Sequence, residues 1–409
     1  MTGHHGIRRL VVVGASLAGL RAVEGARTAG FTGEITLIGA ENHLPYDRTV
    51  LSKSFLDHTD LDPPVPHYRE RAELTDELGV RLLLGAPAEG LDARARTVAA
   101  GGRQVPYDRL IVATGVRPLR LPGAEDRSGV LSLRTVADAR ALRERLAGAR
   151  RVVVVGAGFI GAEVASAARA RGAETTLIDA SPTPLARAVG PELGLLLSRM
   201  HTTHGAGLRC GVGVAEVAPD RVVLSDGTAL DADLVVTGIG ARPAVEWLAG
   251  SGLRLDDGVV CGPDLAASLP GVYAAGDAAG WYNPLFERVM RLEHWTNAAE
   301  QGGIAARNAL GANETCATVP YFWSDWYGVR IQFLGVPDAE HTEIFGDVDG
   351  HRFVALSGSG DRLTGVLLVN RRGDTTKYRQ LLRRRAGWRE ALDFAARREA
   401  TAMTVGVRP

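Results

Sequence analysis

Two runs of valine, each ending in a glycine-rich turn, limit the folds open to this chain. The first reads Val11-Val12-Val13-Gly14-Ala15-Ser16-Leu17-Ala18-Gly19. The second, about 140 residues later, reads Val152-Val153-Val154-Val155-Gly156-Ala157-Gly158-Phe159-Ile160-Gly161. A strand feeding such a turn, with a helix leaving it, aims backbone N–H groups and a helix N-terminus at a pyrophosphate. The second turn has all three glycines. The strand Glu174 to Ile178 then ends at Asp179, 23 residues beyond Gly156. A carboxylate there bonds the ribose hydroxyls of a nicotinamide dinucleotide and repels a 2′-phosphate, favouring NADH over NADPH. Arg187, eight residues on, can meet a phosphate and leaves NADPH open. The first turn carries Ser16 where the middle glycine belongs. Its strand ends at Gly39 instead of an acid, so Glu41 is the nearest ribose candidate. On its own this turn also reads as a plain Gly-rich strand-to-helix connection.

The surrounding pattern occurs twice. Arg9 to Val13, Leu17 to Ala29 and Glu34 to Ile38 read as strand, helix, strand. Short alternating strands follow between Val80 and Pro106, then an apolar strand closes at Ala113-Thr114-Gly115. The second copy runs through Val152 to Val155, a helix Gly161 to Arg171 and the strand to Ile178. It adds a helix Pro191 to Thr203 and further hairpins, and closes at Thr237-Gly238. Such an internal repeat points to two similar nucleotide domains. Beyond it, Val272 to Ala275 reads as an apolar strand ending in Gly276-Asp277, and Thr296 to Leu310 as a helix. From about residue 321, aromatics, alternating strands and an Arg-rich helix point to a smaller α+β domain.

Bulk properties remove other classes. The chain has 409 residues and a formal net charge of zero, so nothing global favours nucleic acid or an anionic membrane. No apolar run has the length of a membrane span, and Met1 to Leu10 lacks an apolar signal core, so a cytoplasmic protein is expected. The three cysteines, Cys210, Cys261 and Cys316, are far apart and read as small hydrophobes without a disulfide framework. His201 and His204 share a helical face and read as cations at a helix C-terminus; no metal site is expected.

Several blocks together resemble the FAD-dependent ferredoxin reductases of oxygenase systems, a putidaredoxin-reductase-like group that shares its fold with apoptosis-inducing factor. They are Leu44-Pro45-Tyr46-Asp47-Arg48 with Leu51-Ser52-Lys53, the turn Gly156 to Glu163, and Gly238-Ile239-Gly240-Ala241-Arg242-Pro243. Tyr273 to Asp277, Glu293-His294-Trp295 with Ala298 and Gln301, and Trp323-Ser324-Asp325 complete the set. The resemblance spans nearly the whole chain. It implies an α/β protein of glutathione-reductase-like architecture, with two Rossmann-like dinucleotide-binding domains and a C-terminal α+β domain. The expected boundaries are 1–115 and 243–320 for FAD, 116–242 for NAD(P)H and 321–409 for the last domain. Thr49-Val50 stands where that group usually has two prolines, Ala244 where Asn is common, and Trp326 where Gln is frequent.

By the same resemblance FAD lies on Gly14, Ser16, Leu17, Ala18 and Gly19. Glu41, Arg48, Lys53, Ala113, Thr114, Gly115, Arg134, Gly276, Asp277, Glu293, His294, Trp295 and Trp323 also contact a cofactor. NADH takes Gly156, Gly158, Phe159, Ile160, Gly161, Glu163, Asp179, Arg187, Gly238, Ile239 and Gly240. Lys53, Glu163 and Trp295 are the implied catalytic residues. A cation beside the flavin stabilises its reduced, anionic ring, and a carboxylate holds that cation in place. In isolation Lys53 reads as a solvated loop lysine, Glu163 as a helix N-terminal acid and Trp295 as core.

The implied activity passes hydride from NADH to FAD, then single electrons to an acidic iron–sulfur ferredoxin. That ferredoxin would supply a haem-thiolate monooxygenase or a ring-hydroxylating dioxygenase. A thiol relay of the disulfide-reductase kind is excluded by the lack of any Cys in residues 1–209. An NADH-binding redox sensor, or an oxidase without a ferredoxin partner, stays open. Arg288, Arg291, Arg371-Arg372 and Arg383 to Arg385 are candidate docking cations; a solvated helix face is the preferred reading of the last three.

Overall fold

A computed structural model of the chain describes residues 6–57, 63–123 and 129–406. Its contacts divide it into two compact units. One comprises Met1–Asp47, Pro64–Arg117 and Ala241–Thr318; the other comprises Arg48–Pro63, Pro118–Gly240 and Val319–Pro409.

The first unit is built on a five-stranded parallel sheet ordered Val272–Ala274, Arg109–Val112, Arg9–Val13, Glu34–Ile38, Val80–Leu83. Leu10, Val11, Val12 and Val13 are all buried, as strands covered on both faces require. The helix Leu17–Thr28 leaves the turn and packs against the later helix Trp295–Ala309. Their axes meet through glycines. A Cβ on Gly302 would lie 2.3 Å from Ala18 O, and one on Gly25 would lie 3.0 Å from Gly303 Cα. A three-stranded antiparallel sheet, Ala88–Asp92, Thr97–Ala100 and Arg103–Pro106, is inserted before the strand Arg109–Val112.

The second unit repeats the plan. Its parallel sheet runs Gly207–Cys210, Glu174–Asp179, Arg151–Val155, Leu234–Thr237, Val130–Ser132. A three-stranded insert, Val214–Val217, Arg221–Leu224 and Ala229–Asp231, precedes Leu234–Thr237. The repeat extends to side chains. Asp108 Oδ2 accepts from the backbone N–H groups of Arg8 and Arg9, and Asp233 Oδ2 accepts from those of Arg150 and Arg151. In each copy an aspartate ahead of the Thr-Gly strand therefore anchors the start of the valine strand. The fifth strand differs: it follows the Thr-Gly strand in the first unit and precedes the valine strand in the second.

The segment Arg48–Pro63 belongs to the second unit. Leu56 is buried with Leu142, Leu146 and Val164, and Arg171 donates to Leu56 O. The C-terminal part is a five-stranded antiparallel sheet ordered Tyr321–Trp326, Val329–Gly335, Arg362–Val369, Arg352–Ser359, His341–Asp347. The helices Thr375–Arg383 and Trp388–Gly406 pack on it. Phe322, Trp326, Phe333, Leu193 and Leu197 share one core. Among the described residues no helix is long and apolar enough to cross a membrane.

Candidate functional site

In the first unit the turn is closed by that unit's own Ala113-Thr114 segment. Gly14 has φ +122°, and a Cβ there would lie 2.0 Å from Ala113 O; one on Gly19 would lie 1.9 Å from Gly14 O. Backbone crowding therefore demands both glycines, whatever they bind. Ser16 is the N-cap residue with extended backbone, and its side chain makes no cap bond. Leu17, Ala18 and Gly19 form the first helical turn, whose N–H groups have no partner within the helix. Gly276, with φ +73°, lies against this turn: a Cβ on it would meet Ala18 Cβ at 3.0 Å. Its N–H donates to Gln301 Oε1 at 2.8 Å. Gly115 has φ +69°, and Thr114 Oγ1 donates to Ala244 O at 2.7 Å.

Other expected residues gather in the same unit. Asp277 O and Glu293 Oε1 accept from Arg291 Nη1 at 3.2 and 2.8 Å. His294 is the N-cap of the helix that Trp295 opens, and Trp295 Nε1 donates to the Tyr68 hydroxyl at 2.8 Å. Glu41 Oε2 accepts from the Tyr46 hydroxyl at 2.7 Å. No sequence motif marks Tyr68 as part of this group. Burial, then the Asp47 charge, pushes its phenol above the ordinary range, so it stands as a neutral hydroxyl against Trp295.

In the second unit Gly156 has φ +101°, and a Cβ on it would lie 2.3 Å from Gly238 O; one on Gly161 would lie 2.0 Å from Gly156 O. Gly158 is different. Its φ is −77°, and a Cβ there would meet only Gly238 O, at 4.0 Å. Neither backbone nor packing asks for glycine, which fits a ligand backbone approaching the turn at that point. Asp179 stands beside it: Oδ2 accepts from Ala157 N–H at 2.9 Å and Oδ1 from Ser181 N–H at 2.8 Å. Phe159 packs against Phe322 at a tilt of 50°, with centroids 4.3 Å apart, and Ile160 is exposed. Ile239 is half-buried; Gly240 and Arg187 are exposed.

The same unit holds a buried ion pair. Lys53 Nζ lies 2.8 Å from Glu163 Oε1, with the carboxylate 2% exposed and the lysine 21%. Ser52 and Ser324 donate their hydroxyls to Glu163, and Asp325 N–H donates at 3.2 Å. Pairing and hydrogen bonds together compensate the burial of this charge. Lys53 also reaches Thr49 O at 3.2 Å. A cleft of about 530 Å³ runs along the cluster, walled by Ser166, Ala167, Ala170, His204 and Tyr327. Arg48 Nη1 donates to Arg134 O at 2.9 Å, and Arg330 lies over the Trp323 ring at 5.2 Å. In the sequence Ser52 and Ser324 stand out only as neighbours of Lys53 and Trp323; nothing local marks them as partners of a carboxylate.

Two sequence readings need correction. His201 is no cation at a helix end. It is buried, stacked on Trp326 at 5.4 Å and 2.9 Å from the Tyr327 hydroxyl. Burial, then the His204 charge, pushes it down to about 4. Arg371 is no docking cation either: it is buried and paired with Asp374 and Glu399 at 3.0 and 2.6 Å. Arg291 is held by Asp257 and Glu293, at 2.8 Å each. Arg383 to Arg385 are exposed. The cysteines are free; burial raises Cys210 and pushes Cys261 and Cys316 up to about 12. Among the described residues no three His, Cys, Asp or Glu side chains gather to hold a metal.

Two Gly-rich turns on two parallel sheets, each crowded against its own Thr-Gly segment, define an oxidoreductase fold for two dinucleotides, FAD and NAD(P)H. The chain belongs to the pyridine nucleotide-disulphide oxidoreductase family, whose profile matches residues 8–302, and a reductase C-terminal profile matches 321–398. It is 36% identical to rhodocoxin reductase of Rhodococcus erythropolis over 382 residues, covering 91% of this chain and 89% of that protein. It is also 36% identical to the ferredoxin–NAD(+) reductase component of the anthranilate 1,2-dioxygenase system of Burkholderia cepacia, with 91% and 93% covered. The fold matches that of the reductase in the covalent putidaredoxin reductase–putidaredoxin complex. The TM-score is 0.87 at 31% identity, with 92% and 93% covered.

Proposed function

We propose that this chain is an NADH-preferring ferredoxin reductase whose acidic iron–sulfur partner supplies a haem-thiolate monooxygenase or a ring-hydroxylating dioxygenase. The observation that carries the reading is the pair of Gly-rich turns, one per unit, each leading into a helix N-terminus that has no side-chain cap bond. FAD, when bound, accepts two electrons as hydride from the nicotinamide and releases them singly to a one-electron acceptor. Residues 1–115 and 243–320 would hold it, through Gly14, Ser16, Gly19, Thr114, Gly276 and Asp277, with Glu41 toward the ribose. Residues 116–242 would hold NADH, with 321–409 as the C-terminal domain. Asp179, fixed at the turn by the Ala157 N–H, selects a free ribose hydroxyl over a 2′-phosphate.

Lys53 supplies the positive charge that a group gaining electrons needs, and Glu163 keeps the ammonium at a fixed place. Trp295 and Tyr68 orient each other through one hydrogen bond. With thiols raised by burial and none before residue 210, electrons leave through an external acceptor rather than a cysteine pair. Three unpaired cysteines agree with a cytoplasmic location. The test is NADH-driven reduction of cytochrome c with and without added ferredoxin. Turnover that requires ferredoxin supports the reading. Rates unmoved by a panel of ferredoxins, or bleaching that persists without turnover, identify a redox sensor or oxidase.

A further inference from the structure

Among the described residues Glu163 is met by donors only, and one of them has its direction set by a buried ring. Trp326 is fully buried, and its Nε1–H donates to Ser324 Oγ at 2.7 Å. An indole nitrogen donates and never accepts. Ser324 therefore spends a lone pair on Trp326, and its single proton goes to its other partner, Glu163 Oε1. The same oxygen accepts from Asp325 N–H and Lys53, and the second oxygen accepts from Ser52. Without the indole, the Ser324 hydroxyl would be free to rotate and accept from a neighbour instead.

We propose that Trp326 and Ser324 are positioning residues for the Lys53–Glu163 pair. The indole orients the hydroxyl, and the hydroxyl draws carboxylate charge toward the strand Tyr321–Trp326. Lys53 then keeps more of its own charge for the bound flavin, a role that rests on the function proposed above. The ring also packs near Phe159, at 6.4 Å, and on His201, so packing and hydrogen bonding must be separated. Trp326→Phe keeps a ring and removes the N–H; Trp326→Gln removes the ring and keeps an amide donor; Ser324→Ala removes the hydroxyl.

The test uses the full-length, FAD-loaded chain and two readouts. The first is the Trp326 indole resonance in ¹⁵N-tryptophan spectra, which Ser324→Ala and Glu163→Gln should both move. The second is the ratio of reduced to oxidised flavin at equilibrium with a reference dye. That ratio should fall about threefold in Trp326→Phe and Ser324→Ala, the small end of one hydrogen bond's contribution. It should rise in Glu163→Gln, which removes the opposing charge, and stay near the parent value in Trp326→Gln. Equal falls in Trp326→Phe and Trp326→Gln would show that packing alone acts and overturn the proposal. So would a ratio unmoved in both Trp326→Phe and Ser324→Ala. A chain that NADH fails to bleach would overturn the proposed function instead, while the indole shifts still report whether the hydrogen-bonded chain exists.

Discussion

Gly158→Ala separates fold from function at one position. The new methyl group would meet only Gly238 O, at 4.0 Å, an ordinary contact, and the backbone at φ −77° accepts any residue. Alanine is a poorer N-cap than glycine by roughly 0.5 kcal/mol. Lower entropy of the unfolded chain returns about 0.4–1 kcal/mol. The net change in stability is therefore within about 0.5 kcal/mol of zero. For a dinucleotide whose pyrophosphate rests on this backbone the same methyl is an obstruction, and NADH affinity should fall about tenfold or more, some 1.4 kcal/mol. Gly156→Ala is the contrasting variant. Its Cβ would lie 2.3 Å from Gly238 O at φ +101°, so it should unfold early whether or not NADH is present. The assays are thermal unfolding and NADH titration by fluorescence. Gly158→Ala binding NADH like the parent would refute the argument that a ligand requires this glycine.

Three further outcomes are expected. Asp179→Ala should narrow the preference for NADH over NADPH in kcat/KM by about tenfold, and a parent enzyme that already favours NADPH would show the reading of Asp179 to be wrong. His201, pushed down to about 4 from an ordinary value near 6.5, favours the folded state above about pH 6.5. This stabilisation disappears as pH falls toward 4, a loss of about 3 kcal/mol. His201→Phe should flatten the stability profile between those limits, as read by urea unfolding. Burial raises the Asp374 carboxyl, but hydrogen bonds from Arg398 and Arg371 outweigh it and hold it below the ordinary range. Its contribution is thus present above the usual Asp pKa and lost as pH drops below it. Asp374→Asn should cost about 3 kcal/mol at neutral pH and remove that acid-dependent loss; equal acid unfolding in both proteins would contradict it.

The local parts of this fold are legible in the sequence because they are written in local chemistry. The helix Pro191–Thr203 and the strands Arg9–Val13 and Glu34–Ile38 fall on their expected bounds. The helix expected from Thr296 starts one residue earlier, at Trp295. The internal repeat is also legible, and the structure extends it to the matching aspartates Asp108 and Asp233. What the sequence hides is tertiary. Ser52 and Ser324 reach Glu163 from 111 and 161 residues away, and Tyr68 reaches Trp295 across 227. Helix spacing alone reads His201 as a cation at a helix C-terminus, because the aromatic residues packed on it, Trp326 and Tyr327, lie more than 120 residues away. Conversely, only the structure shows that Gly14 and Gly156 are steric necessities while Gly158 is not.

The most direct measurement is an anaerobic titration of the flavin-loaded chain with NADH, followed by oxidised ferredoxin. One NADH should bleach one flavin, and two ferredoxins should then restore the oxidised spectrum, each taking one electron. Flavin that NADH leaves unbleached, or a bleached chain that ferredoxin cannot reoxidise, would contradict the account.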